Sequence, residues 1–421
     1  MKGFGVEKIK FRNTQFVIDT ARMNYQSAIQ RRLMQVSVRD RENKSVTLDD
    51  GRRVTEFINC SYLGLDLHPE IQKAYRSLPD AWGVNFCCAR SRFSIEPLIQ
   101  LEERLSEWLR GRVITFPSVT TTHVAVMPLL ASGALLKPKS GKQTKVRLIF
   151  DKLAHSSMQF LKPILAQEAR IETICHNDLQ NLVDQVQEAQ RVGEIAVYIA
   201  DGIYSMGGLA PVKELLKLAE QHDFYLYLDD AHGTSIFGEL GEGAVYSEFQ
   251  GNIPERLIMT FSMSKAFGVN GGGVVVPSAF QEDQIRTYGQ IYAFSAPMDF
   301  AAVPAALASL DLHLSGAIRP LQNQLRSRIA LYDKLTSSEP VLSPIRMVKI
   351  GDAQAAIEAC DFLVDRGYFT SVVFFPIVGR GNAQLRISLA ANHSESDIIG
   401  LANALEEVKS KFIKSTEELV G

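Results

Sequence analysis

Leu98, Leu101, Leu105 and Trp108 recur at helical spacing and the stretch stops at Gly111. That spacing predicts an amphipathic helix with one buried face. Val212, Leu215, Leu216 and Ala219 repeat the pattern directly after Pro211. Proline suits a helix start, because its missing N–H would be unpaired there anyway. Between such segments lie short apolar runs: RLIF, IAVYIA, FYLYL, LIMTF and GGVVV. They lack polar alternation, so they predict strands buried on both faces of a mostly parallel sheet. Helix and strand patterns alternate in this way from about residue 60 to 300. Four of the runs end at Asp151, Asp201, Asp229 and Ser262. Ligands of open α/β sheets bind outside the carboxyl ends of the strands. The polar groups therefore gather on the edge where a site belongs.

The flanks read differently. SVTL and RVTEFI surround Asp50-Gly51, a pair that favours a type I′ hairpin turn. Helical pattern returns over 301–314 and 321–335, and a smaller α+β segment follows with GYFTSVVFFP and AQLRISLAANH. The expected division is an N-terminal helix and hairpin over 1–60, a large domain over 61–305 and a smaller C-terminal domain over 306–421.

Composition narrows the class. The chain has 421 residues, 46% of them hydrophobic, which is ample for a packed core and excludes disorder. A formal net charge of −2 argues against a general nucleic-acid binder. The first 53 residues carry 12 Lys+Arg against six Asp+Glu, but the charges are dispersed among apolar residues, as on a solvated helix face. No run reaches the roughly 20 apolar residues of a membrane span; the longest, 124–136, is broken by Pro128, Ser132 and Gly133. The opening MKGFGVEKIKFRNTQF lacks the apolar core of a secretory signal. Cys60, Cys87, Cys88, Cys175 and Cys360 show no metal-ligand or CxxC spacing. Reduced thiols in a cytoplasmic protein are expected, with no metal.

Candidate chemistry concentrates between Asp201 and Gly273. Lys265 follows a buried strand inside a Ser- and Gly-rich turn. A partly desolvated lysine there suits Schiff-base chemistry, although taken alone it reads first as a surface lysine. Asp229 ends the FYLYL run, with His232 three residues on. A carboxylate leaving a buried strand needs a partner. That partner is either the next turn or a protonated ring nitrogen of a cofactor. His155 in FDKLAHSSM is a stacking residue or a satisfied core histidine, and Gly271 to Gly273 permit close backbone approach.

Taken together, LDDAHG…FGELGEG and SMSKAFG, with NCSYLGLDLHPEIQKA before them and LRISLAANHSESDI after, resemble the α-oxoamine synthases. These are pyridoxal-phosphate enzymes of the aspartate-aminotransferase fold (fold type I), and the resemblance covers nearly the whole chain. It implies an α/β large domain on a mostly parallel sheet, with a small α+β domain shared by both chain ends. It also implies pyridoxal 5′-phosphate as cofactor and a homodimer with a shared active site. Carried over by position, Lys265 matches the lysine that bonds to the cofactor and shuttles protons. Asp229 matches the partner of the pyridine nitrogen. His232 and Ser205 stand at positions associated with the phenolic oxygen, and His155 at the one that stacks on the ring. Ser118, with Val119 and Thr120 after it, aligns with the phosphate-binding turn, Ser262 with a phosphate-binding Ser/Thr, and Ser295 with the residue reaching the phosphate from the partner subunit. Arg386 matches the arginine that clamps the amino-acid carboxylate, a task suited to its planar fork.

Departures from the family pattern cluster on the substrate side. Cys60 and Ser61 stand where an asparagine is usual, with Asn59 one residue off. The usual Ser-Gly-aromatic turn reads Ser118-Val119-Thr120, and the asparagine after it aligns with His123. The glycine-rich acyl-site string reads CCARSRFSIEPLIQ, which leaves Arg90 and Arg92 as basic candidates. The implied reaction condenses an amino acid with an acyl thioester, on CoA or a carrier protein, and loses CO₂ to give an α-aminoketone. Transamination or carbon–carbon cleavage on the same fold is the alternative enzyme reading. A cofactor-sensing regulator is the non-enzyme reading, but the N-terminal segment is too short and weakly patterned for a DNA-binding module.

Overall fold

The computed structural model describes residues 14–77, 80–86, 89–137 and 145–413. Cys87 and Cys88 lie outside the described residues. Seven strands form the central sheet: β1 (Arg112–Phe116), β2 (Lys145–Asp151), β3 (Arg170–Ile174), β4 (Glu194–Asp201), β5 (Tyr225–Asp229), β6 (Leu257–Ser262) and β7 (Gly272–Val276). Their spatial order is β1-β7-β6-β5-β4-β2-β3. The strands from β6 to β3 run parallel, whereas β7 is antiparallel to both of its neighbours. Every residue of β5, β6 and β7 is buried, as the unalternating apolar runs require. The sequence pattern missed β1 and β3. Edge strand β3 has only Ile174 fully buried and carries charged Arg170 and Glu172, so no apolar run marks it.

The four predicted helices form, the last two as Ala302–Leu314 and Arg319–Thr336. In α1 (Glu96–Trp108) Leu98, Leu101, Leu105 and Trp108 are all buried, and Pro97 lies in its first turn. Its end owes less to Gly111 than to Arg110, which takes the left-handed conformation at φ 47°. Gly111 is needed for space, since a Cβ there would come within 2.5 Å of Val275. Helix α2 (Val119–Ala131) opens on Ser118 and buries Val126, Met127 and Leu130 against the sheet. Helix α3 (Val212–His222) starts directly after Pro211.

The chain divides into two compact units. The larger holds Asn59–Arg346 and Ser388–Gly400, and the smaller holds residues up to Ile58, Met347–Ile387 and residues from Leu401 on. The stretch 306–346 thus belongs with the large unit, whereas the sequence division ended that unit at 305. The reason lies in α4 (Ala302–Leu314), which packs on α1 and on the helix Pro69–Tyr75. Ser309 and His313 of α4 also tie it to the central loops: Ser309 Oγ donates to Phe267 O at 2.7 Å, and His313 Nε2 lies 2.9 Å from Ser235 Oγ.

In the smaller unit Ser45–Leu48 pairs antiparallel with Arg53–Glu56, and Val46 faces Val54. The turn between them is not type I′. That type needs positive φ at both central residues, and of Asp50 and Gly51 only the glycine has it, at 92°. Leu48 N instead bonds Arg52 O at 2.9 Å, leaving a three-residue turn closed by a left-handed glycine. A further strand, Val38–Glu42, precedes this hairpin. Apart from Val38 its residues are charged, and most are exposed, so the apolar pattern gave no sign of it.

Candidate active site

Sheet register brings the polar strand ends into two rows. Asp201 of β4 pairs with Asp229 of β5, which pairs with Thr260 of β6. Beside them Ser262, Gly272 and Phe116 align across β6, β7 and β1. Residues opposite one another in a parallel pair point to the same face, so Asp201, Asp229 and Thr260 share one face of the sheet.

Asp229 is held from three sides. Its Oδ1 accepts from Ala231 N and from Thr260 Oγ1, each at 3.0 Å. Its Oδ2 lies 3.2 Å from His123 Nε2. Burial alone would disfavour the charged carboxylate. The hydrogen bond from His123, with the fields of Lys265 and His155, outweighs burial and holds Asp229 well below the usual carboxylate range. Asp201 goes the opposite way. Burial, with the charge of Asp229 in register beside it, pushes its carboxyl well above the usual range. Its Oδ1 accepts from His155 N at 3.2 Å, while Oδ2 has no hydrogen-bond partner among the described residues. One row therefore carries an ionised and a protonated carboxyl side by side, the split expected of like charges that cannot both ionise.

Lys265 is half-buried in the turn after β6. Ser264 pins that turn, with its Oγ donating to Gly271 O at 3.0 Å and accepting from Gly271 N at 2.9 Å. Gly268, at φ 84°, lies so close to the Leu65–Asp66 backbone that a Cβ would come within 2.6 Å of it. The lysine is thus carried by a loop clamped at both ends, near enough for its charge to act on Asp201, Asp229 and Asp230.

Two histidines are oriented by hydroxyls. His232 is buried, and its Nδ1 lies 2.7 Å from Tyr62 OH. His155 is half-buried, and its Nδ1 lies 2.7 Å from Ser157 Oγ. Ser118 caps α2: its Oγ accepts from Thr121 N at 3.2 Å, and Thr121 Oγ1 accepts from Ser118 N at 3.0 Å. Val119 is half-buried and Thr120 exposed in the first turn, where backbone N–H groups have no helical acceptor. Gly272 lets β7 come against this helix end, since a Cβ would lie 3.0 Å from Val119 N and 2.9 Å from Phe261 O. Ser262 is buried and its Oγ accepts from Ser264 N at 3.2 Å. Ser205 is half-buried in the turn after β4.

The substrate-side candidates are more scattered. Asn59 Oδ1 accepts from Ser61 N at 2.7 Å, and the Ser61 hydroxyl donates to Asp66. Arg92 is exposed. Arg90 is not a free cation: it is buried, paired with Glu102, and stacked 4.7 Å from the Tyr292 ring centre. Ser295 follows the short helix Gln290–Phe294. Arg386 lies in the smaller unit, half-buried on the strand Ala383–Ser388 opposite Ser371. Sequence reasoning noted His123 only as a departure and passed over Tyr62, Tyr227 and Thr260, because hydroxyls and imidazoles inside apolar runs carry no periodic signal.

The arrangement fits a flat, anionic, nitrogen-bearing cofactor. A fixed carboxylate can hold a protonated ring nitrogen, a nearby lysine can bond a carbonyl, and a capped helix end beside a glycine can receive a phosphate. The family model for aminotransferase class I and II matches residues 161–405. A putative 8-amino-7-oxononanoate synthase of Parvibaculum lavamentivorans is 30% identical over 385 residues, covering 90% of this chain and 93% of that protein. The 8-amino-7-oxononanoate synthase of Maricaulis maris is 32% identical over 364 residues, covering 85% and 88%. A serine palmitoyltransferase solved with pyridoxal phosphate superposes with a TM-score of 0.81 at 19% identity, covering 95% of this chain and 99% of that one.

Proposed function

The chain belongs to the aminotransferase class I and II family and, within it, to the α-oxoamine synthases; on that premise we propose that it is a pyridoxal-phosphate-dependent C-acyltransferase that condenses an amino acid with an acyl thioester. The products are an α-aminoketone, CO₂ and free thiol. The observation that carries this reading is the ionised, triply anchored Asp229 in the field of Lys265 at the carboxyl edge of the sheet.

Bound pyridoxal phosphate supplies an electron sink for the amino acid's α-carbon. Asp229 holds the protonated ring nitrogen on which that sink depends. Lys265 Nζ is the covalent anchor. With the cofactor and amino acid bound, the Lys265 amine would serve as the base at the α-carbon, taking its proton and returning one. His155 would cover the cofactor ring, and His232 and Ser205 would donate toward its phenolic oxygen. Ser118, Ser262 and the first-turn amides of Val119 and Thr120 receive the phosphate. Arg386 clamps the substrate carboxylate, and Asn59, Ser61 and Arg92 belong to the amino-acid and thioester side.

The active species is a homodimer in which Ser295 of a second copy reaches the phosphate. In support, Val84, Phe86, Phe93 and Phe294 are 91%, 53%, 65% and 76% exposed. Phe86 and Phe93 meet edge-on with ring centres 5.9 Å apart, and Ser91 Oγ donates to Ala293 O at 3.3 Å, next to Phe294 and Ser295. Exposed apolar side chains grouped in this way suit an interface. Among the described residues no helix is long and apolar enough to cross a membrane, and Cys60, Cys175 and Cys360 form no disulfide. Both fit a cytoplasmic enzyme.

Incubation with an amino acid and an acyl thioester tests the reaction. Release of free thiol with CO₂ is expected from wild type and is lost in Lys265→Ala. Oxo-acid release without thiol would instead assign transamination.

A further inference from the structure

The sequence carries a histidine where the resemblance sets an asparagine, and that side chain lies against Asp229. His123 projects from α2 and is fully buried. Its Nε2 lies 3.2 Å from Asp229 Oδ2 and its Nδ1 lies 2.8 Å from Tyr227 OH. Tyr227 and Asp229 are two residues apart on β5, so they face the same side roughly 7 Å apart. One imidazole, with a nitrogen on either side of the ring, spans that gap. An asparagine has a single amide on a shorter stem and reaches one of the two groups, not both.

We propose that His123 is the positioning residue for Asp229, and that Tyr227 fixes which of its ring nitrogens carries the proton. Tyr227 is completely buried, and burial together with the charge of Asp229 keeps its phenol protonated. Its hydroxyl therefore donates to Nδ1, which leaves the proton on Nε2 aimed at Asp229 Oδ2. Each link has one donor and one acceptor: Tyr227 O–H to Nδ1, then Nε2–H to the carboxylate. Oδ1 is occupied by Ala231 N and Thr260 Oγ1. The carboxylate is thus locked in one orientation before any ligand arrives, with a remaining Oδ2 lone pair for an incoming N–H. His123 acts through Asp229 and touches no reacting atom.

The inference rests on Asp229 being the partner of the cofactor's ring nitrogen, so the experiment separates the two claims. Wild type, His123→Leu, His123→Asn and Tyr227→Phe are compared as full-length protein by three readouts: thermal melting without cofactor, pyridoxal phosphate affinity, and pH titration of the bound cofactor's visible absorbance. His123→Leu is expected to weaken cofactor binding about tenfold and to displace the absorbance titration. His123→Asn, which keeps one donor, restores part of both. Tyr227→Phe displaces the titration in the same direction by less, because the carboxylate keeps a partner whose tautomer is no longer fixed. Unchanged affinity and titration in a folded His123→Leu overturn the proposal. If that variant does not fold, an unmoved titration in Tyr227→Phe overturns it. Failure of the wild type to take up cofactor overturns the reading of Asp229 itself.

Discussion

The phenolic hydroxyl of Tyr62 lies 2.7 Å from Nδ1 of His232, and Tyr62 is wholly buried. The two residues are 170 positions apart, so only folding joins them. Tyr62→Phe removes the partner of a buried imidazole nitrogen while keeping the ring in place. It is expected to lower stability by about 1–2 kcal/mol and to reduce turnover more than it raises KM for the amino acid. Chemical denaturation and steady-state kinetics on one preparation check both parts.

Asp230 explains Gly233 and Gly243 of the LDDAHG…FGELGEG stretch and Gly202 just after β4. Added Cβ atoms at Gly233, Gly243 and Gly202 would come within 2.0, 2.1 and 2.8 Å of its carboxyl oxygens. Gly233 would also meet Ala244 N at 2.7 Å. Gly233→Ala is therefore expected to destabilise the protein by about 3 kcal/mol or more. Burial pushes the Asp230 carboxyl well above its usual range, so the group is a neutral acid in the fold. Its folded value being raised, stability is full at low pH and declines as pH rises toward that value. Asp230→Asn removes this decline, and the difference in melting temperature should move in the variant's favour as pH increases.

His313 gives the opposite slope. It is buried between Trp108 and Phe267, and burial pushes it down to about 4 from 6.5. The unfolded chain takes up a proton below 6.5 while the fold refuses it until about 4. Stability is thus present above that window and is lost as pH falls through it, by about 3 kcal/mol in all. Urea unfolding across the window measures the slope, and His313→Asn is expected to flatten it.

Arg90 and Arg92 should separate cleanly. Glu102 accepts from Arg90, Arg286, Thr115 N and Thr115 Oγ1, and its carboxyl is held below the usual range because these partners outweigh burial. Arg90→Ala leaves that carboxylate short of a buried partner and is expected to cost about 3–5 kcal/mol of stability. Arg92→Ala is expected to leave melting unchanged and to raise KM for the acyl thioester severalfold. A melting loss in Arg92→Ala, or a KM effect without a melting loss in Arg90→Ala, would reverse the assignment.

Local pattern was enough for much of this protein. Apolar runs without alternation fixed five of the seven central strands, because a strand buried on both faces can carry little else. Helical spacing marked α1 and α3. The motifs around Asp229, His232 and Lys265 pointed to the cofactor, since their chemistry is tied to residue type and strand end. Strands β1 and β3 and the strand Val38–Glu42 escaped, being short, edge-placed or largely polar. What only the tertiary structure decided is who touches whom. Register set an ionised Asp229 beside a protonated Asp201, and packing turned Arg90 from a candidate ligand into a buried ion pair. It also brought His123 from a helix to Asp229 on a strand 106 residues away. Those outcomes depend on burial and on distances across the fold, and neither is written in the spacing of residues along a chain.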